Sequence, residues 1–240
     1  MKLLSPELKS NRVIIKIHSI YIEFKKSIRF WYRSKLKKSY SQGKEDIVLA
    51  GLFNYKREGF YVDVGASRPV KLSNTYLFYK LGWKGICLEP NGKLVNNYKK
   101  VRPRDIIIET AASNFVGEAK FFTGDNKYDV NSSLSDPKSI SISKTINVKV
   151  DKMENILNAH NVQEIDFISI DTEGTELDVL EGLNLDRFRP KYILVEHNTA
   201  YKINHLLQPY MISKGYQVIY INQWNMIFAD DFQSVINCYN

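Results

Sequence analysis

Four apolar runs of the 240-residue chain each end on acidic side chains: Asp63 before Gly65, Glu89 before Pro90-Asn91, Asp171 and Glu173 before Gly174, and Glu196 before His197-Asn198. An acid at the end of a strand and two residues before a glycine turn suits a cationic amine. The turn itself lets backbone N–H groups approach an anionic ligand group. An acid closing the next strand, about 24 residues after Gly65, can accept both hydroxyls of a ribose. A dinucleotide fingerprint would place glycines at 67 and 70, where Ser67 and Val70 stand, so a pyrophosphate cradle is poorly supported. The pair Asp63 and Glu89 without those glycines fits S-adenosylmethionine better than NAD. A plainer reading remains for Asp63, since Asp at a strand end often caps a turn.

Asp171 and Glu173 supply two carboxylates between a strand and a helix start, and Glu196-His197-Asn198 supplies three polar groups at the end of the following strand. If these strand ends are neighbours, the groups surround the point where a methyl group is transferred. The chemistry needed there is alignment of an in-line displacement and removal of a proton from an acceptor hydroxyl, for which Asp171, Glu173 or His197 would serve. Asp171 as a helix N-cap, Glu173 as a first-turn charge and His197 as a structural histidine are the competing readings. Asp171 with Glu196 as oxygen ligands of Mg²⁺ is a further one. His18, His160 and His205 have no partners in view and receive no role.

These residues need a scaffold of alternating strands and helices, and the pattern from Ser41 onward has that form. It predicts a helix over 45–53, strands over 60–64, 85–88 and 106–109, and a helix over 74–81. A strand follows at 165–170, a helix at 175–182 and a strand at 192–195. A helix at 204–214 precedes strands at 216–221 and 226–228, close enough together for an antiparallel hairpin. Between 119 and 150 the pattern is irregular, with short strands near Phe121-Phe122 and at 146–150 around a polar stretch, 124–143. This stretch is the expected substrate loop, and Asn131-Ser132-Ser133-Leu134-Ser135 within it would contact acceptor hydroxyls or simply form turns. The fold class expected is α/β, a Rossmann-like class I methyltransferase with a seven-stranded, mostly parallel sheet and an antiparallel C-terminal hairpin. In that order the strands before Gly65 and Asp171 are neighbours at the switch point. Trp83, just before the second strand, is expected to pack on the sheet.

Several blocks in this order and spacing resemble the FkbM family of S-adenosylmethionine-dependent methyltransferases. They are Ser41-Gln42-Gly43-Lys44-Glu45-Asp46, residues 60–67, Ser73-Asn74-Thr75, Gly82-Trp83-Lys84-Gly85 through Glu89-Pro90-Asn91, and residues 165–177. The resemblance implies O-methylation, with sugars or polyketide-type scaffolds as acceptors. It also implies that Asp63, Gly65, Ala66, Ser67, Asn74, Glu89, Pro90 and Asn91 hold the cofactor and that Ala111 and Ser113, at the end of the third strand, line its adenine pocket. Small residues at 111 and 113 read equally well as allowing close strand-to-loop packing. At Arg68-Pro69 the chain departs from the general methyltransferase pattern, which commonly has a second glycine, and this bears on how the methionine carboxylate is held.

The charge is uneven. The net charge is +8, and residues 1–40 hold eleven Lys/Arg against Glu7 and Glu23. Val13, Ile17, Ile20, Phe24, Ile28 and Trp31 form one stripe at helical spacing, so residues 1–40 read as a basic amphipathic arm and 41–240 as the catalytic domain. The stripe would dock on the domain or on a second subunit, or lie peripherally on an anionic membrane surface; a nucleic-acid role is disfavoured. An apolar content of 44% supports one principal core. Cys87 and Cys238 are too few and too separate for a disulfide framework, and no uninterrupted apolar run of membrane-spanning or signal-peptide type occurs, which makes the cytoplasm the expected location. Two readings compete with a glycan or metabolite O-methyltransferase: a nucleic-acid methyltransferase using the arm, and a non-catalytic module of the same fold.

Overall fold

The computed structural model describes residues 38–124, 132–134, 142–199 and 202–231. The basic stripe, His18, Cys238 and most of the polar stretch 124–143 lie outside the described residues. Helix α1 (Glu45–Leu52) leads into strand β1 (Phe60–Val64), followed by α2 (Tyr76–Lys80), β2 (Lys84–Leu88), α3 (Gly92–Val101) and β3 (Ile106–Ile108). A second set of strands, β4 (Ala111–Ser113), β5 (Gly117–Gly124) and β6 (Ile142–Lys152), precedes α4 (Met153–Ala159). The main sheet resumes with β7 (Phe167–Ile170), α5 (Glu176–Glu181) and β8 (Tyr192–Glu196). After the short pair β9 (Asn198–Thr199) and β10 (Lys202–Ile203) come α6 (Leu207–Ser213), β11 (Gln217–Ile221) and β12 (Asn225–Ala229).

The main sheet has seven strands in the order β11-β12-β8-β7-β1-β2-β3. The pairs from β8 to β3 are all parallel, and β12 runs antiparallel to both β8 and β11. This is a Rossmann-like class I methyltransferase sheet, as the sequence pattern predicts. Successive strand side chains point to opposite faces, and the core divides accordingly. Val62, Val64, Ile168, Ile170, Ile193 and Val195 pack with α4, α5 and α6, while Tyr61, Cys87, Phe167 and Leu194 pack with α1 and α2. Trp83 belongs to the second layer, wholly buried, with its ring edge on Phe53 and Phe78 and Nε1–H donating to the Lys56 carbonyl at 2.8 Å.

The structure corrects the expected pattern in two places. Ala111 and Ser113 do not end the third main-sheet strand; the chain turns at Thr110, and Ala111–Ser113 pair in parallel with Val150–Lys152 of a separate three-stranded sheet, order β4-β6-β5. The irregular region is a long antiparallel ladder, Gly117↔Val150 through Gly124↔Ile142, rather than two short strands. Helices α3 and α4 are additional. His205 lies in the turn before α6 rather than within it. Cys87 is a buried free thiol in β2.

Candidate functional site

The C-terminal ends of β1, β2, β7 and β8 open into one cavity of about 390 Å³, within the range of about 300–1,000 Å³ typical of small-molecule sites. β1 divides the chain's two directions of travel across the sheet, so the cavity sits at the topological switch point. The approach of β1 and β7 is close. Gly65 has φ 75°, and a Cβ there would lie 1.8 Å from the Asp171 carbonyl oxygen, so glycine is demanded by backbone and neighbour alike.

On the β1–β2 side the polar groups are fastened. Glu89 accepts from the Ser67 amide through Oε2 and from the Asn91 amide through Oε1, both at 2.8 Å, and lines the cavity. Asn91 caps α3 by accepting from the Lys93 amide, while Asn74 donates to Ser169 Oγ at 3.1 Å. Asp63 accepts a 2.5 Å hydrogen bond from Thr75. Thr75 in turn accepts from Arg102, whose buried guanidinium also meets Asp105, Ser73 and the Tyr61 hydroxyl. Burial raises the Asp63 carboxyl pKa, and the Arg102 charge opposes this. Arg102 is a positioning group the sequence reading missed; its only signal was the Arg102-Asp105 spacing.

The glycine turn is not the anion cradle expected of it. The amides of Gly65 and Ala66 both donate to the Leu88 carbonyl and that of Ser67 to Glu89, and the next helix begins only at Tyr76. Asp63, Gly65, Ala66, Ser67, Asn74, Glu89, Pro90, Asn91 and Ala111 all line the cavity. Ser113 does not; its carbonyl packs against Gly182, where a Cβ would lie 2.0 Å away. Leu88, Leu94, Ala112, Phe121 and Leu134 give the cavity its apolar wall. The cavity thus joins two strand-end acids, Asp63 and Glu89, to an apolar wall.

The β7–β8 side is built differently. Asp171, Glu173 and Glu196 each place one carboxylate oxygen within 4.8 Å of the others. Asp171 is not the helix cap. The N-cap position of α5 is Thr175, which makes no side-chain cap hydrogen bond, and the amides of Thr172 and Gly174, in the turn before the helix, donate to Glu176 Oε1 at 3.2 and 2.8 Å. Glu176, buried and given no role in the sequence reading, holds the turn that follows Asp171, and Asp171 lines the cavity. Glu173 and Gly174 hold left-handed φ values of 55° and 114°, and Ser133 Oγ steadies this turn by donating to the carbonyls of Glu173 and Thr172 at 2.9 and 3.2 Å. Burial and the charges of Glu173 and Glu176 raise the Asp171 carboxyl pKa well above the carboxylate range. Burial and the neighbouring Asp171 push Glu196 up to about 12. The two carboxyls hydrogen-bond each other, and burial with their mutual repulsion favours a proton on the pair.

His197 follows Glu196 but is not in the cavity wall. Its ring Nε2 lies 3.1 Å from the Asn222 carbonyl, a contact in which the ring must donate. Gln42, Trp224 and Asn225 are in the wall, and all three were missed as site residues. Among the described residues, no Lys, Arg or His side chain lines this cavity, against five carboxylates.

The fold and the site define a Rossmann-like S-adenosylmethionine-dependent methyltransferase. The methyltransferase FkbM domain model matches residues 63–218, and the chain belongs to that family. Among solved structures, it is similar to TrmK of M. capricolum in complex with S-adenosylhomocysteine (13% identity, 80% of this chain and 70% of that one, TM-score 0.44). It is also similar to the METTL16 methyltransferase domain (12%, 82% and 71%, TM-score 0.48) and to an O-methyltransferase from Bacillus cereus in complex with S-adenosylhomocysteine (9%, 88% and 90%, TM-score 0.44). None of the curated proteins matches the chain in sequence. Among the described residues, no helix is long and apolar enough to cross a membrane.

Proposed function

We propose that this methyltransferase O-methylates a hydroxyl of a carbohydrate, glycan or related metabolite. The observation that carries the reading is the sign of the cavity, which among the described residues is lined by Asp63, Glu89, Asp171, Glu173 and Glu196 and by no basic side chain. A phosphodiester acceptor would be repelled by such a wall, whereas a neutral polyol offers it hydroxyl donors. Trp224 and Phe121 add apolar faces against which a sugar ring can rest. S-adenosylmethionine supplies an electrophilic methyl group; the chain's own residues hold and deprotonate the acceptor. Asp171 and Glu173, with Glu196 beside them, stand where the hydroxyl proton is received. His197 is given no part in this, since its ring is turned to Asn222.

The test is transfer of radiolabelled methyl groups from S-adenosylmethionine to two sets of acceptors, neutral mono- and oligosaccharides and duplex or single-stranded nucleic acids. Alkali-stable label in the sugar fraction, lost in Asp171→Asn, is the expected result. Label confined to nucleic acid would overturn the reading and restore the basic arm as a substrate-binding element.

A further inference from the structure

Asn225 stands directly opposite Glu196 in the β8–β12 ladder, and both residues line the cavity. Asn225 is 5% exposed and Glu196 8%. The Asn225 amide cannot choose its orientation, because its Nδ2 donates to Glu45 Oε1 at 2.9 Å and a carboxylate only accepts. Glu45 is itself fixed, with Asn222 Nδ2 donating to the same oxygen and the Gly43 amide donating to Oε2 at 2.8 Å. The Asn225 Oδ1 therefore faces away from Glu45, buried and without a hydrogen-bond partner, and Glu196 Oε2 is in the same condition.

Two buried acceptors without donors, beside three carboxylates whose oxygens lie within 4.8 Å of one another, call for positive charge. Among the described residues, the cavity wall provides none. Hard oxygen ligands, two or three of them charged and one a neutral amide carbonyl, are the donor set of Mg²⁺ or Ca²⁺ rather than of zinc or copper. We propose that Asp171, Glu173, Glu196 and Asn225 Oδ1 bind one hard divalent cation at the acceptor end of the cavity. Glu45 acts as a positioning residue that turns the Asn225 oxygen toward the ion. This gives the Gly43-Lys44-Glu45 segment a task beyond starting α1. It ties the helix to the β11–β12 hairpin and sets one ligand.

The experiment titrates the full-length protein with Mn²⁺, free ion being read by electron paramagnetic resonance, with no acceptor and no methyl donor present. One bound equivalent is expected, displaced by Mg²⁺. Glu196→Gln removes binding, Asn225→Ala weakens it, and Glu45→Gln, which leaves every direct ligand in place, weakens it about tenfold as outer-shell changes do. Glu58→Gln, on an exposed turn, leaves the affinity unchanged. Circular dichroism of each variant separates lost ligation from lost folding. No bound Mn²⁺ at millimolar concentration, or binding indifferent to both Glu196→Gln and Asn225→Ala, overturns the proposal and leaves the Asp171–Glu196 pair as a proton-sharing dyad. The ion shares the cavity proposed for O-methylation but is read without turnover. Sugar methylation without Mn²⁺ binding defeats only the ion, and Mn²⁺ binding without sugar methylation defeats only the acceptor.

Discussion

The two halves of the cavity treat their carboxylates in opposite ways. At the β1–β2 end, Glu89 accepts two backbone amides and Asp63 is tied through Thr75 to the buried Arg102, so the acids are held before any ligand arrives. At the β7–β8 end, Asp171 and Glu196 face each other, Glu196 Oε2 and Asn225 Oδ1 have no partner, and desolvation drives both acids toward protonation. A fastened acid is a binding group whose geometry is paid for by the fold; an unfastened one is held in a state that reaction or ligand must relieve. The first half would serve any adenosyl ligand, and the second is where acceptor and chemistry are decided.

The comparison breaks most visibly at Glu196. If this half carries the chemistry, Glu196→Gln lowers the methyl-transfer rate about 10²–10⁴-fold, the range of a positioned acid or base, while S-adenosylhomocysteine affinity in calorimetry stays unchanged, because Glu196 belongs to the other half of the cavity. The same variant is expected to be at least as resistant to denaturant as wild type near pH 8, because an amide in place of one acid relieves the repulsion that a like-charged buried pair suffers. Loss of cofactor binding in Glu196→Gln would erase the division between the halves.

The complementary change is Glu89→Gln. It removes a charged acceptor shared by Ser67, Asn91 and the ligand's ribose, and hydrogen bonds to charged groups contribute about 1.5–3 kcal/mol each. Two such contacts correspond to a weakening of S-adenosylhomocysteine binding of about 10²–10⁴-fold. The ratio of turnover to cofactor occupancy is expected to change little, which single-turnover kinetics at saturating cofactor can show. A Glu89→Gln enzyme that binds normally but does not turn over would move the chemistry to the wrong end of the cavity.

The same contrast runs through what the sequence reveals. Strand β1 was readable residue for residue because Phe60–Val64 is an apolar run closed by a glycine turn, and the acids at strand ends marked the cofactor half. Helix α3 escaped because it buries only Val95 and Tyr98 and shows solvent the rest of a lysine- and asparagine-rich stretch. Helix α4 is seven residues long, too short for a periodic stripe to stand out. The polar sites that escaped share another cause. Glu176 sits in a first helical turn, where acids are common on the surface, yet it is buried and accepts the amides of the preceding turn; Asn225 opens a strand, and only the antiparallel partner and Glu45 show where its oxygen points. Arg102 is an arginine that the tertiary structure encloses, and burial of a charge depends on partners brought together from 61, 75 and 105. Local patterns disclose elements and strand-end acids. They do not disclose which distant polar groups will satisfy one another.

A smaller effect tests whether the second sheet belongs to the reactive half. Ser133 is nearly fully buried and its hydroxyl holds the left-handed Glu173 turn. Removing one neutral hydrogen bond is a loss of about 1 kcal/mol, so Ser133→Ala should reduce kcat about fivefold through a looser Glu173, with cofactor affinity unchanged. An equal loss in cofactor affinity would place the 132–134 segment in the cofactor half instead.

The finest discrimination is the pH dependence of stability in the presence of a chelator. An acid whose folded-state pKa exceeds its unfolded value of about 4.3 takes up a proton on folding, so its contribution is full below that value and declines as pH rises toward the folded value, about 12 for Glu196. The slope of unfolding free energy against pH is then negative, up to about 1.4 kcal/mol per pH unit for one proton and less after relaxation and charge sharing with Asp171. Denaturant midpoints followed from pH 5 to 9 should fall in wild type, and the fall should be shallower in Glu196→Gln. Asp63 also has a raised pKa, but the Arg102 charge opposes the shift, so Asp63→Asn should alter the slope less. An equal flattening in both variants would mean that the two halves store the same electrostatic tension, and the difference between them would lie in hydrogen bonding alone.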